Sequence, residues 1–368
     1  MLVPKLRFKE FKEEWKIYKF YDVVRIVNGQ VDPNDNQYRN LPHIGPGNIE
    51  KETGRLLEYN LAKDDNLISS KYLFDQNSVI YGKINPHFAK VCYPNFIGLC
   101  SADTYPINPN KSLLTSQFLL YMLLTKKFTK FAISVSMRTG MPKINRDELG
   151  IYKFTIPSIK EQEKIGKLIS LLDRKIDIQY KKIEALKIYK IGLIRGLLNN
   201  SSNSKFEKLQ TICQNLLSNI TLSDIEGDNG TYKIYGATGV IGNISKYILD
   251  KPYISIIKDG AGVGKSFICE SFSSFLSTLI GLIPENCTVE YLKIVLDNIN
   301  FSKYIVGSTI PHIYFKDFRN EIVKILPYDE QLKISNIFND INLKINVSEQ
   351  KLNSLKKIKQ SLLQQMFI

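Results

Sequence analysis

Two stretches of the chain share one spacing of hydrophobic positions. In each stretch the apolar residues recur in alternating steps of four and three, which is the pattern of a coiled-coil seam. The first seam comprises Ile165, Ile169, Leu172, Ile176, Ile183, Leu186 and Leu193. The second comprises Ile334, Phe338, Ile341, Ile345, Leu352, Leu355 and Leu362. The pattern predicts two long helices, each with an apolar stripe along one side.

The two seams are copies of each other. Residues 161–198 align without a gap onto residues 330–367 at an offset of 169, and 11 of these 38 pairs are identical. The polar interruptions are copied too, since Gln179 matches Ser348 and Lys190 matches Lys359. A polar layer in an apolar seam usually fixes the register of paired helices. We therefore expect the helices to pair, and the alternative is that each packs separately on its own domain.

Removing the helices, 157–200 and 327–368, leaves two globular halves, residues 1–156 and 201–326. Both contain short β-branched and aromatic runs that are broken by Gly, Pro and Asn, which is typical of strands. Examples are 78–81, 151–156, 253–257 and 321–326. The order of domain, helix, domain, helix requires the second helix to return antiparallel to the first. The expected fold is α+β, with two globular domains, two long antiparallel coiled-coil helices and pseudo-two-fold symmetry.

The charge of the chain favours a polyanionic partner such as nucleic acid. Its 50 Lys and Arg exceed its 36 Asp and Glu, which gives a net charge of +14. The excess is uneven, because residues 1–156 carry 22 basic and 15 acidic residues whereas residues 201–326 carry 12 of each. The second half cannot hold DNA by charge alone, and we expect it to rely more on a partner protein. A merely solvated basic surface is the alternative.

The chain has no apolar run of the roughly 18 to 20 residues that a membrane span needs, and its first residues lack the apolar core of a signal peptide. We therefore expect a cytoplasmic protein without a membrane role. Its five cysteines are scattered and form no Cys-x-x-Cys pair, so buried free thiols are expected rather than disulfides or a zinc site.

Several short strings, taken in their order along the chain, resemble the specificity subunit of type I restriction-modification systems. They are Val3-Pro-Lys-Leu-Arg-Phe8 with Glu14-Trp-Lys, Asn48-Ile-Glu-Lys-Glu-Thr-Gly54, Tyr81-Gly-Lys-Ile-Asn-Pro-His87, Tyr235-Gly-Ala-Thr-Gly-Val-Ile-Gly242, Lys258-Asp-Gly-Ala-Gly-Val-Gly-Lys265, and the Pro-x-x-x-Glu-Gln that opens the first helix. The second helix opens with one residue fewer. The resemblance spans essentially the whole chain.

This resemblance implies a DNA-binding subunit that is not itself an enzyme. It implies two target-recognition domains, residues 1–156 and 201–326, each reading one half of a bipartite site in double-stranded DNA. The helices would act as a ruler for the spacer between the half-sites. It further implies two methyltransferase (modification) subunits and motor-nuclease (restriction) subunits as partners. S-adenosylmethionine, ATP and magnesium are then expected on those partners only, and this chain should carry no cofactor or metal.

Candidate DNA-contacting residues follow from what reading a base requires, namely Arg, Lys, Asn, Gln and Ser on an element that can enter the major groove, and the segments richest in such residues are two in each half. In the first half they are Lys83, Asn85, His87, Lys90, Arg138, Thr139, Lys143 and Asn145. In the second half they are Lys258, Lys265, Ser266, Ser308, Thr309 and His312. For any one of them, a place on a solvated loop away from DNA is the alternative.

The string Gly260-Ala-Gly-Val-Gly-Lys-Ser266 invites comparison with a nucleotide-binding P-loop, but its spacing does not fit. A P-loop needs a glycine at position 259, and this chain has Asp259, whose carboxylate would repel phosphates. We expect a tight loop between strands. Motifs of amino-methyltransferases and metal-dependent nucleases are also absent from the sequence. A P-loop nucleotidase and a coiled-coil scaffold without a DNA role are the competing hypotheses.

Overall fold

The computed structural model describes residues 3–136, 140–201 and 203–368. These residues form two compact units. Unit 1 comprises residues 1–179 and 351–368, and unit 2 comprises residues 180–350. Each unit therefore contains one globular half together with a part of each long helix.

The long helices are α5, Ile159–Asn200, and α8, Tyr328–Gln365. In unit 1, the carboxylate of Asp173 on α5 forms an ion pair with the ammonium of Lys359 on α8, at a distance of 2.5 Å. In unit 2, Lys190 of α5 donates to Asn342 of α8 at 2.8 Å. Residue 173 of α5 contacts residue 359 of α8, and the later residue 190 contacts the earlier residue 342, so the helices are antiparallel. The pairs are also related by the offset of 169, so the predicted pairing of the duplicated seams is confirmed, and separate packing of each helix is excluded.

The buried stripe follows the predicted seam along most of both helices. Ile165, Ile169, Ile334 and Phe338 are almost fully buried, as are the two polar interruptions Gln179 and Ser348. Near the far end of each helix the position next to the predicted one is the more deeply buried. Ile194 and Leu363, which are themselves separated by 169, are buried, while the predicted Leu193 and Leu362 are half-buried.

This shift has a physical cause. A straight helix drifts by about 20° per heptad relative to a strict seven-residue repeat. The end of each helix also packs on a globular core rather than only on the other helix: Leu363 joins the core around Phe118, and Ile194 joins the core around Tyr291.

The globular half of unit 1 contains three small sheets and several short helices. The strands of its four-stranded antiparallel sheet lie in the order β2-β8-β5-β6, beside the sheets β3-β7-β4 and β1-β9. Its elements are β1 Lys16–Lys19, α1 Phe20–Val23, β2 Val24–Ile26, β3 His43–Ile44, β4 Tyr72–Phe74, β5 Val79–Gly82, β6 Val91–Cys92, β7 Gly98–Cys100, β8 Thr104–Pro109, α2 Ser116–Leu123, α3 Lys126–Ser136, α4 Arg146–Gly150 and β9 Lys153–Ile156.

The globular half of unit 2 repeats this plan. Its four-stranded antiparallel sheet has the order β11-β17-β14-β15, beside the sheets β13-β12-β16 and β10-β18. Its elements are β10 Lys205–Lys208, β11 Cys213–Leu217, β12 Tyr232–Gly236, β13 Gly239–Ile244, β14 Tyr253–Ile257, β15 Ser266–Cys269, β16 Ser274–Phe275, β17 Leu279–Pro284, α6 Val289–Asp297, α7 Phe315–Phe318 and β18 Ile322–Ile325. The predicted α+β class and the duplication of the domains are confirmed.

The repeated Glu-Gln at the start of each long helix has a packing role. The side-chain oxygen of Gln162 accepts from the backbone N–H of Thr115 at 3.0 Å, and Gln331 does the same for Thr288 at 3.4 Å. Thr115 and Thr288 are in turn the N-caps of α2 and α6. Since a cap satisfies otherwise orphan backbone donors, each glutamine fixes its long helix to the first turn of a buried helix in the same unit.

Candidate DNA-binding surface

In unit 1 the backbone holds together the two segments that contain the candidate residues. The N–H of Ile144 donates to the carbonyl of Lys83 at 3.0 Å, and the N–H of Asn85 donates to the carbonyl of Pro142 at 2.8 Å. Lys83 directly follows β5, which lies inside the four-stranded sheet. The candidate residues around Lys83 and Lys143 therefore form one surface at the end of a buried strand.

Unit 2 builds the same surface with the same bonds. The N–H of Ile313 donates to the carbonyl of Lys258 at 3.0 Å, and the N–H of Gly260 donates to the carbonyl of Pro311 at 2.9 Å. Lys258 directly follows β14, the equivalent of β5. Ile144 and Ile313 lie 169 residues apart, which is the offset at which the two long helices align in the sequence. The sequence repeat did not reveal that Lys83 and Lys258 correspond, because the loops between the matched strands differ in length.

Positive charge is concentrated around Tyr105 in unit 1. Burial lowers the pKa of Lys83, and the nearby Lys143 lowers it further. Lys83 and Arg146 lie over the Tyr105 ring, with their charged groups 5.2 and 5.0 Å from its centroid. Lys143 is exposed, so the cluster can reach an anion in solvent.

Sequence reasoning missed Arg146 as a member of this cluster. Its guanidinium donates to the carbonyl of Val27 at 2.7 Å, which places it beside the ring of Tyr105 rather than free in solvent. The only sequence signal was its position one residue after Asn145.

The remaining candidates of unit 1 have different local roles. Asn145 caps α4, since its side chain accepts from the N–H of Glu148 at 2.8 Å, which limits its freedom to read a base. Lys90 donates to the carbonyl of Pro46. His87 is exposed, with its ring 4.0 Å from that of Phe88, and Asn85 adopts a left-handed backbone conformation with φ of 50°. Arg138 and Thr139 lie outside the described residues.

The candidates of unit 2 lie on two tight loops. Val306 and His312 exchange backbone hydrogen bonds of 2.9 and 2.8 Å, which leaves Ser308 and Thr309 exposed at the tip of the loop. The ammonium of Lys258 donates to the carbonyl of Ser277 at 2.8 Å and lies 3.5 Å from the carboxylate of Asp259. Lys265 is exposed and Ser266 begins β15. This surface therefore carries less uncompensated charge than that of unit 1.

The glycine-rich segment 260–266 is a hairpin loop. It joins the antiparallel strands β14 and β15, and the N–H of Gly264 closes the turn by donating to the carbonyl of Ile257 at 3.0 Å. Gly264 has a φ of +84°, which a residue with a side chain rarely adopts. A P-loop leads from a strand into a helix whose N-terminus binds phosphate, and here a second strand follows instead. The expectation of a tight loop between strands is confirmed.

The cysteines are unpaired, and burial raises the pKa of Cys213 to about 12, so this thiol is not a reactive nucleophile at neutral pH. Across residues 3–136, 140–201 and 203–368, no group of three or more His, Cys, Asp or Glu side chains is placed to hold a metal ion. No helix among the described residues is long and apolar enough to span a membrane.

The family described as the type I restriction modification DNA specificity domain matches this chain twice, over residues 12–187 and 202–357. The chain belongs to this family. Its two matches correspond to the two copies of the repeat, and each contains one of the surfaces described above.

Individual relatives agree with this assignment. The chain is 35% identical to the EcoDI specificity subunit of Escherichia coli over 158 residues, which is 43% of this chain and 34% of that protein. It is 23% identical to the putative MjaX specificity subunit of Methanocaldococcus jannaschii over 52% of this chain and 47% of that protein. The aligned region thus covers less than half the length of these curated relatives.

Solved structures match over nearly the full chain. The S subunit of a type I restriction-modification system from M. genitalium superposes with a TM-score of 0.64 and 18% identity, covering 100% of this chain and 99% of that one. A chain from a study of complex assembly and conformational transition in the type I system superposes with a TM-score of 0.55 and 15% identity, covering 95% and 96%. The fold is therefore the same as in these chains.

Proposed function

We propose that this chain is the DNA-binding specificity subunit of a type I restriction-modification complex and reads a bipartite site, with one half-site for each globular domain. The main support for the proposal is that each domain has an equivalent candidate surface. Equivalent backbone hydrogen bonds place Lys83 beside residue 144 and Lys258 beside residue 313. A protein that reads two half-sites needs one such surface in each domain.

The chemistry of these surfaces suits a nucleic acid. Lysine, arginine, amide and hydroxyl side chains all contact phosphates in DNA complexes, and the same side chains read base edges in the grooves. The first surface places Lys83 and Arg146 over the Tyr105 ring, with Lys143 near enough to lower the pKa of Lys83. The second offers Lys265, Ser308 and Thr309 at exposed positions. The first domain would therefore supply most of the electrostatic attraction, and the second would depend more on the rest of the complex.

The long helices would set the distance between the half-sites and dock two methyltransferase subunits, with the motor-nuclease subunits joining that assembly in the cytoplasm. S-adenosylmethionine, ATP and magnesium would be used by those subunits, while this chain supplies recognition without catalysis. Family membership and the two antiparallel helices support this division of labour.

A selection of duplexes from a random library tests the proposal. The chain is purified with its methyltransferase partner, and bound DNA is sequenced after repeated rounds of capture. The expected motif has two short fixed parts separated by an unspecific spacer. One uninterrupted motif, or no enrichment, would refute it. The chain without partners should neither methylate nor cut DNA, and its Gly260–Ser266 loop should give no saturable ATP binding by calorimetry.

A further inference from the structure

A loop of unit 1 reaches across the groove beside the two long helices. The loop contains Thr53, whose carbonyl accepts from the buried ammonium of Lys359, and Arg55, whose guanidinium lies 3.2 Å from the carboxylate of Asp177. Between them Gly54 has a φ of +81°, and a Cβ there would come within 2.8 Å of Leu124. Thr53 and Gly54 of this loop end the string Asn48–Gly54 noted in the sequence. The loop forms one wall of a groove with a volume of about 460 Å³.

Unit 2 contains the equivalent groove without such a loop. The groove has a volume of about 610 Å³, and among the described residues its walls come from α5, α6, α8 and Asn298, the residue that follows α6. Six of its positions repeat those of the unit 1 groove at the offset of 169: Lys187, Lys190, Ile191, Asn342, Ile345 and Asn346. The long helices thus form the same groove in each unit, but among the residues that the structure describes only those of unit 1 supply a loop to border it.

The lysine at the centre of the unit 2 groove lacks the acidic partner of its counterpart. Lys359 pairs with Asp173, which also accepts from Tyr121 at 2.9 Å. Asn342 stands in the place of Asp173, and Lys190 donates to its neutral amide oxygen. The ammonium of Lys190 otherwise lies 4.0 Å from the centroid of the Phe338 ring, and burial lowers its pKa. An added carboxylate would stabilise an ammonium held in this way, because a hydrogen bond between two charged groups is stronger than one to a neutral amide.

The acidic groups around this groove already have basic neighbours. Asp297 pairs with Lys293, and Glu349 lies 3.7 Å from Lys187. Asp297 also acts on Lys190, since its charge raises the pKa of that ammonium against the effect of burial. Within the part of the chain that the structure describes, no carboxylate lies within ion-pair distance of Lys190 or Arg195. The groove therefore has unneutralised positive charge beside an apolar wall, which includes Ile294 and the exposed Ile191.

We propose that the unit 2 groove binds an acidic segment of a partner protein, with a carboxylate on Lys190 and Arg195 and a neighbouring apolar side chain against Ile191 and Ile294. The segment would supply what Asp173 and the loop around Thr53 supply in unit 1. The two equivalent grooves then present unlike surfaces to partners, because the groove of unit 1 already contains a carboxylate and a loop at the corresponding place. This inference does not depend on DNA reading and stands if the DNA selection fails.

Binding of a defined peptide to the full chain tests the proposal. The probes are a fluorescein-labelled peptide of sequence SGLDLLGS and the same peptide with Asn in place of Asp, followed by fluorescence anisotropy. The Asp peptide should bind about tenfold more tightly, as expected for a hydrogen bond to a charged group. Lys190→Met should remove the difference between the peptides. Lys182→Met, an exposed substitution on the same helix, should leave it unchanged.

A second variant keeps the test decisive if Lys190→Met disturbs folding. Asn342→Asp places in this groove the carboxylate that unit 1 has, and the new carboxylate should pair with Lys190. The variant should therefore bind the Asp peptide more weakly and have a higher melting temperature. Equal affinity for both peptides, no binding of either, or unaltered discrimination by Lys190→Met would overturn the proposal. Self-association of the chain that Lys190→Met abolishes would also overturn it, because the occupant would then be a second copy.

Discussion

The ammonium of Lys359 lies 2.5 Å from the carboxylate of Asp173, and the equivalent contact of Lys190, 169 residues earlier, is made to the neutral Asn342 instead. The duplication has therefore preserved the position of a polar contact while changing its charge. The two candidate DNA-binding surfaces show the same pattern of a preserved position and changed chemistry. The backbone hydrogen bonds around Lys83 and Lys258 correspond, whereas the neighbouring side chains differ.

The ion pair of unit 1 should contribute measurably to folding. Asp173→Asn leaves the buried Lys359 without its counterion, and we expect a loss of about 1 to 3 kcal/mol, below the cost for a fully buried pair because the Asp173 side chain is 33% exposed. Asp177→Asn, which breaks a more exposed pair with Arg55, should cost no more than about 1 kcal/mol. Urea unfolding of the full chain gives both values, and equal losses would contradict the assigned burial.

The sequence predicted the long helices and their pairing because a seam of nine regularly spaced positions, found twice, is a strong signal. It placed Leu193 and Leu362 in that seam although Ile194 and Leu363 are the buried residues. The shift arises where the helices meet the globular cores, and a one-dimensional pattern does not contain that contact.

The candidate surface was predictable in part. Pro142 and Pro311, or Ile144 and Ile313, align by the repeat, so the later segment of each surface could be matched from the sequence. The match of Lys83 with Lys258 and the role of Arg146 depend on strand pairing and on a ring from another strand. The capping role of Asn145 required the coordinates of α4, although the Asn-x-x-Glu spacing is a known capping signal.

Lys143 should contact a DNA phosphate. It is exposed beside Lys83 and Arg146, so Lys143→Ala should weaken binding to all sequences alike and reduce the slope of log affinity against log salt by about one unit. Gel shifts of the chain with its methyltransferase partner, at several salt concentrations, measure the slope. The matched control is Lys153→Ala, an exposed lysine on β9. A slope that both variants leave unchanged would remove Lys143 from the interface.

Unit 2 should lose stability in acid through Glu321. The hydrogen bond from Lys303, followed by that from Tyr304, lowers the pKa of this carboxyl below its ordinary value. The folded state therefore binds this proton less readily than the unfolded state, so the stabilisation is present above the ordinary carboxyl pKa and is lost as pH falls through the lowered one.

Glu321→Gln should accordingly reduce the melting temperature at neutral pH, and the difference from the unaltered chain should shrink as pH falls into the acid range. Glu226→Gln, at an exposed position, serves as the control and should show little difference at any pH. A difference for Glu321→Gln that is the same at neutral and acid pH would show that the ionised carboxyl is not the source of the effect.

We propose that two equivalent surfaces read two half-sites and that the long helices set the spacing between them. Deleting one seven-residue seam repeat from each helix, residues 176–182 and 345–351, keeps the alternation of seam positions and shortens each helix by about 10.5 Å at 1.5 Å per residue. The variant, purified with its methyltransferase partner, is subjected to duplex selection beside the unaltered chain. We expect both half-sites to be retained while the spacer shortens by about three base pairs, at 3.4 Å each. An unchanged spacer with both half-sites retained would contradict this proposal.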